Sequence, residues 1–192
     1  MTFSNPAKAG VALFIGTVQF GIFMIVAEAV WPSYSVSTNY ISDLGANLPS
    51  SQIYNPSIVV LGVSVLVAAL FLQRSFHWKP ATCLMVLAGI GAVGVGLFPE
   101  GSPFSLHSIF SLVVFLFAGL SAIVTSRFQK TPLSYFAMIL GAGTLLALIL
   151  YVGQIYLGLG AGGMERMVVY PVLLWAIGFG GHLMGMEDMP RP

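Results

Sequence analysis

"PATCLMVLAGIGAVGVGLF", Pro80 to Phe98, contains no charged side chain and no polar one larger than threonine. A helix of that length spans roughly 28 Å, close to the ~30 Å hydrocarbon core of a bilayer. A barrel strand would be about ten residues long and would alternate in polarity, and this run does neither. It reads as a transmembrane helix. Ala88, Ala92 and Gly96 recur at four-residue spacing. That spacing sets a face of small residues on which another helix can approach closely, as helix association in lipid requires. "GIGAVGVG" superficially resembles a dinucleotide fingerprint, but it follows no strand and lies inside an apolar span.

The rest of the chain agrees with this run. Of the 192 residues, 57% are hydrophobic and 7% charged, against roughly 25% charged in a soluble domain. Too few polar side chains are present to cover a water-facing surface. Five further apolar segments stand near 9–31, 56–72, 103–123, 132–156 and 164–184. Pro56, Pro80, Pro103 and Pro132 open four of the six spans, a position where a missing N–H costs nothing. The expectation is an all-α polytopic membrane protein, a single six-helix transmembrane bundle over residues 1–192. The first run is too long for a signal-peptide core and is read as a retained helix. A net charge of +1 says nothing about nucleic acid, but the chain has no basic cluster, and no nucleic-acid partner is expected. The lone Cys83 has no partner for an intrachain disulfide or a zinc motif.

Short-loop cations orient the bundle. Lys8, Arg74, Lys79, Arg127, Lys130 and Arg191 fall on one side of six spans, and Arg166 alone falls on the other. Both termini are therefore expected in the cytoplasm, with the protein in the cell membrane. Glu28, Asp43, Glu100 and Glu165 then gather at the outer end with His107 and Arg166, while Glu187 and Asp188 lie inside. Gly181 and Gly185 suggest a second packing face. His77 reads as a loop residue. His182 and Trp175 share a helical face that suits packing better than haem ligation.

The first outer loop, Tyr34–Ser57, is polar and turn-rich and carries one charge, Asp43. As a short amphipathic helix over Asn39–Leu48 it would set Asn39, Ser42, Asp43 and Ala46 on one side and Tyr40, Ile41, Leu44 and Leu48 on the other. Such an element would lie in the interface as a lid, with Trp31, Tyr34, Tyr40 and Tyr54 at the aromatic belt.

Three stretches, "YISDLGA" (40–46), "GLFPEGSPFSLHSIFS" (96–111) and "GGMERMVVYPVLLWAIGFGGHLM" (162–184), resemble the signature regions of domain-of-unknown-function family 998, a group of six-helix prokaryotic membrane proteins. The resemblance covers most of the chain and implies no established activity, cofactor or substrate. On it, the matching positions are Ser42, Asp43, Gly45, Phe98, Pro99, Glu100, His107, Glu165, Arg166 and Trp175.

The residues themselves point to a ligand or network set of Glu28, Ser42, Asp43, Glu100, His107, Glu165 and Arg166. Ionisable groups at membrane depth are costly, and are paired or functional. Arg166 cannot lose its proton, and Glu28 or Asp43 is its expected partner. Glu165 adjoins it, and adjacent helix residues do not face one another. Glu100 reads either as a cap on the fourth helix or as a site acid, and His107 either as a structural histidine bonded near Ser111 or as a base. The first functional expectation is a binding or accessory subunit of a membrane complex, with lipids and other membrane subunits as partners and no cofactor. The alternative is a membrane-embedded hydrolase of a lipid-like substrate, with Asp43, Glu100 and His107 as catalytic candidates and a divalent metal among them. A transporter has less support, because Gln19 and Gln154 are the main polar groups within the spans and no charge lies near the midplane.

Overall fold

A computed structural model describes residues 3–187. Asp188 and Arg191, assigned above to the inner side, lie outside the described residues. The described chain is helical and holds no strand. Six helices are long and apolar enough to cross a membrane: α1 (Asn5–Ala29), α2 (Ser51–Phe76), α3 (Lys79–Leu97), α4 (Leu106–Thr125), α5 (Leu133–Val152) and α6 (Gly160–Met184). Each packs on the next, and α6 closes the ring against α1.

Small residues set the helix contacts, because lipid gives apolar side chains no reason to leave it. A Cβ on Gly62 would meet Gly89 O, and one on Gly96 would meet Asn55 O, so α2 and α3 touch backbone to backbone. Gly91 meets Val114 on the opposite face of α3, and Gly94 lies against the Phe110 ring. Gly10 of α1 and Gly180 of α6 face each other's carbonyls. The expected Gly181–Gly185 face is not used: Gly181 has open space beside it. One position along a helix turns the side chain by about 100°, which moves the contact to Gly180.

Several boundaries differ from the sequence reading. Helix α2 begins at Ser51, so Pro56 stands inside it. Helix α6 begins at Gly160, before Met164, and α5 ends at Val152. The expected lid helix over Asn39–Leu48 is a single 3-10 turn, Ser42–Gly45. The reason is local competition for backbone groups. In an α-helix the Asp43 carbonyl would accept from the Asn47 N–H; here it accepts from the Ala46 N–H and from the Asn47 side chain instead, which closes a short turn. The expected split of faces also fails. Ser42 is buried beside Ile41 and Leu44, and Leu48 is 74% exposed.

The start of α6 is the tightest contact of this loop. A Cβ on Gly162 would run into Asn39 O, too close for any side chain. The Gly162 N–H donates to Ser37 O at 2.9 Å, and the Ser37 hydroxyl donates to Leu159 O at 2.8 Å. We therefore expect Gly162→Ala to lower stability by roughly 1–3 kcal/mol, the cost of overpacking. Gly181→Ala, into open space, should stay within about 0.5 kcal/mol. Thermal melts in one detergent compare them, and equal melting temperatures would show that the loop does not bear on α6.

Candidate functional site

The outer end of the bundle carries two polar assemblies that share the first loop. One is a latch. Arg166 lies in the second turn of α6, 4% exposed. Its Nη2 donates to Glu28 Oε1 at 2.5 Å and to the Tyr34 hydroxyl at 2.6 Å. Its Nη1 donates to Val36 O at 2.9 Å and to Gly162 O at 3.0 Å. Glu28, near the end of α1, is the carboxylate partner; Asp43 is not. Burial pushes the Tyr34 phenol up to about 12, against the pull of Arg166. Tyr34 therefore keeps its proton and donates it to Tyr40 O at 3.0 Å. One guanidinium thus ties the end of α1, the loop backbone and the start of α6.

Glu165 points elsewhere, as adjacent helix positions require. It is 3% exposed and accepts the Ile41 N–H. Asp43 fastens its own loop, where Oδ2 accepts from Tyr40 N at 2.9 Å and from Asn39 Nδ2 at 3.2 Å. Glu100 does not cap a helix, since no acidic residue stands in the first turn of α4. It comes within hydrogen-bond reach of Asp43 instead. Partial desolvation, then the Asp43 hydrogen bond and charge, raise its carboxyl above the ordinary value. Two carboxyls that share a site resist being charged together.

His107, in the first turn of α4, is buried. Its Nδ1 is 3.0 Å from Phe98 O and its Nε2 is 3.3 Å from the Ser111 hydroxyl. A carbonyl only accepts, so Nδ1 carries the proton. In neutral His107, Nε2 then holds the lone pair and accepts from Ser111. Among the described residues no three His, Cys, Asp or Glu side chains gather as a metal site. Both nitrogens of His107 are engaged, and Asp43 is committed to its loop.

The second assembly is a cavity of about 340 Å³ lined by Tyr40, Ser42, Glu100, His107, Ser111 and Glu165, with Leu112 and Phe115 of α4 and Leu148, Tyr151 and Val152 of α5. The size falls in the range of small-molecule sites. It exists because α4 and α5 meet closely only lower down, where a Cβ on Gly141 would touch Gly119 O. Exposed Leu112 and Val152 stand at its margin between these helices. Beneath it lies an apolar cavity of about 90 Å³ that shares Ser42, Ser111, Phe115 and Glu165 with it and reaches Met85 and Trp175. Among the described residues the buried Trp175 indole N–H has no partner.

The seven sequence candidates thus divide. Glu28 and Arg166 belong to the latch, and Ser42, Glu100, His107 and Glu165 line the cavity. Asp43 stands between the two. Tyr34 and Tyr151 were not singled out as site residues; spacing to remote positions gives no signal for them. His182 sits at the other end, its Nε2 3.1 Å from Phe128 O.

A family model described as "Protein of unknown function (DUF998)" matches residues 14–182. No curated protein and no solved structure matches the chain. The match covers most of the sequence, and the chain belongs to this family.

The latch makes a direct expectation. Arg166→Ala leaves a partly buried Glu28 without its cation and should cost roughly 3 kcal/mol, the lower end for breaking a buried pair. Arg127 is exposed and lies over the Trp78 ring at 4.2 Å, so Arg127→Ala should cost no more than about 1 kcal/mol. Melting temperatures of the two variants test this, and similar values would remove the latch.

Proposed function

We propose that this DUF998 chain is an amphiphile-binding protein of the cell membrane, taking a polar head into the outer cavity and a chain into the apolar space beneath. The observation that carries this reading is the common wall of the two cavities, formed by Ser42, Ser111, Phe115 and Glu165. Carboxyls, hydroxyls and an imidazole line the upper one, and side chains such as Met85, Ala88 and Val172 line the lower. The gap between α4 and α5 suits access from lipid, because its margin is apolar and faces the surrounding bilayer. The Ser42–Gly45 turn, held by Glu165 and Asp43, serves as a fixed cap over this space in place of the expected lid helix.

The lining selects the head. Glu100, Glu165 and neighbouring Asp43 supply acidic groups, while the cation of this rim is engaged by Glu28 and Tyr34. An anionic phosphate head is therefore disfavoured, and a neutral, hydroxyl-bearing or cationic head is favoured. The reading keeps the binding half of the sequence expectation and does not lean on a partner subunit. The metal-dependent hydrolase would need donors from Asp43, which is bonded within its own loop, and from His107, whose nitrogens meet Phe98 O and Ser111; metal analysis of the purified protein tests that version.

In lipid nanodiscs, a photoactivatable diacylglycerol should crosslink to α4 or α5 at the cavity margin, more strongly than photoactivatable phosphatidic acid. Leu112→Trp, filling the gap, should cut the crosslink about tenfold, equal to ~1.4 kcal/mol of binding. Crosslinking spread evenly over all six helices, or untouched by Leu112→Trp, would remove the site.

We also propose that both termini face the cytoplasm. Lys8, Arg74, Lys79, Arg127 and Lys130 stand at the end of the bundle that carries the termini, which is the cytoplasmic end by the positive-inside bias. With Cys83 replaced by Ser, Leu48→Cys should react with an impermeant maleimide on intact cells, and Lys130→Cys should react only after lysis. The reverse pattern would invert the topology.

A further inference from the structure

We propose that Ser111 is a nucleophile and His107 its general base, acting on a carboxylic ester of the amphiphile held in the outer cavity. The inference rests on the amphiphile reading above and adds a reaction to it. Its first support is where the Ser111 hydroxyl goes. Serines within membrane helices commonly return their hydroxyls to their own helix backbone. Ser57, Ser75 and Ser121 do so, bonding Tyr54 O, Phe71 O and Phe117 O. Ser111 departs from that pattern and meets His107 Nε2 at 3.3 Å.

The second support is the orientation of the base. Phe98 O holds the Nδ1 proton at 3.0 Å, so the lone pair is directed at Ser111. A nucleophile in reach of a base that a third group orients is the general pattern of an activated hydroxyl, and the contact is often loose without substrate. Here a backbone carbonyl plays the part that a carboxylate plays in a Ser-His-Asp triad. The Phe98 ring stacks on Phe110 at 5.4 Å, which steadies the segment that carries this carbonyl.

The third support is access. Both side chains line the same cavity, and Ser111 also lines the apolar space below it. The nucleophile therefore lies where a polar head meets its chain, the position of an acyl ester in an amphiphile. Tyr40 and Tyr151 line the same cavity, with their rings 5.8 Å apart.

The step balances without a metal or redox partner. Ser111 Oγ attacks the ester carbonyl as its proton passes to His107 Nε2. The C–O bond to the alcohol then breaks, and the alcohol leaves with that proton. Water, deprotonated by His107, attacks the acyl-serine carbonyl; the C–Oγ bond breaks, Ser111 Oγ takes the proton back from His107, and the carboxylic acid is released.

The test uses the full chain in nanodiscs and a long-chain alkyl fluorophosphonate, which reacts with activated serines. Covalent labelling should map to Ser111 by peptide mass spectrometry. Ser111→Ala should abolish it while melting with the parent, and Ser108→Ala should retain it. His107→Gln should slow labelling by a factor on the order of a hundred or more, as loss of a general base does. Absence of label, label elsewhere, or an unchanged rate in His107→Gln would overturn the assignment. Photoactivatable diacylglycerol on the same samples separates the two ideas. A crosslink without fluorophosphonate labelling overturns the nucleophile and leaves the binding site standing, whereas loss of both overturns both.

Discussion

The ion pair between Arg166 and Glu28 is the constraint around which the outer half of the molecule is arranged. A guanidinium at 4% exposure near the end of an apolar bundle needs its charge and most of its donors met, and here both terminal nitrogens are, while Nε has no partner among the described residues. Glu28 and Tyr34 meet one nitrogen, and the carbonyls of Val36 and Gly162 meet another. Two of those acceptors belong to the first loop. The loop therefore cannot leave the bundle without stranding a charge, and a segment with the composition of a free linker is held as a cap.

From that attachment the rest of the outer end follows. Holding Val36 against α6 brings Ser37 over Gly162 and Ile41 over Glu165, and only glycine leaves room at the first of these. The Ser42–Gly45 turn then lies across the bundle mouth, with Asp43 beside Glu100. The inner half obeys a simpler rule. Leu13, Met85, Phe179 and Leu183 pack as an apolar cluster, and small residues let the helices approach.

How much of this could be read from the chain depends on what each feature needs. The six helices were legible because a bilayer imposes length and apolarity on consecutive residues. The presence of a buried Arg166–carboxylate pair was legible from a count of one cation among four acids. Its identity was not: choosing Glu28 over Asp43 requires knowing that α6 closes on α1, a contact between opposite ends of the chain. The short turn in place of a lid helix is not legible from the period alone, because it depends on the Asn47 side chain taking the Asp43 carbonyl that a helix would give to a backbone N–H. His107 and Ser111 were visible as neighbours one turn apart. The direction of the imidazole depends on Phe98 O, delivered by the bend before α4, and on no residue type at all.

One rim thus holds two kinds of polar group, and hydrogen-bond occupancy separates them. Glu28, Arg166 and the Asp43 Oδ2 atom are spent on loop backbone, on Tyr34 and on each other. Such groups behave as structure, because removing any one leaves a buried partner unmet. Ser111, Glu100 and Tyr151 border open volume instead. They line a space of about 340 Å³, large enough for a small molecule. A protein that needed only stability could have filled that gap with apolar side chains, as it does in the inner half. Keeping a polar cavity above an apolar one has a cost in packing, and an amphiphilic ligand is the occupant whose chemistry matches both parts.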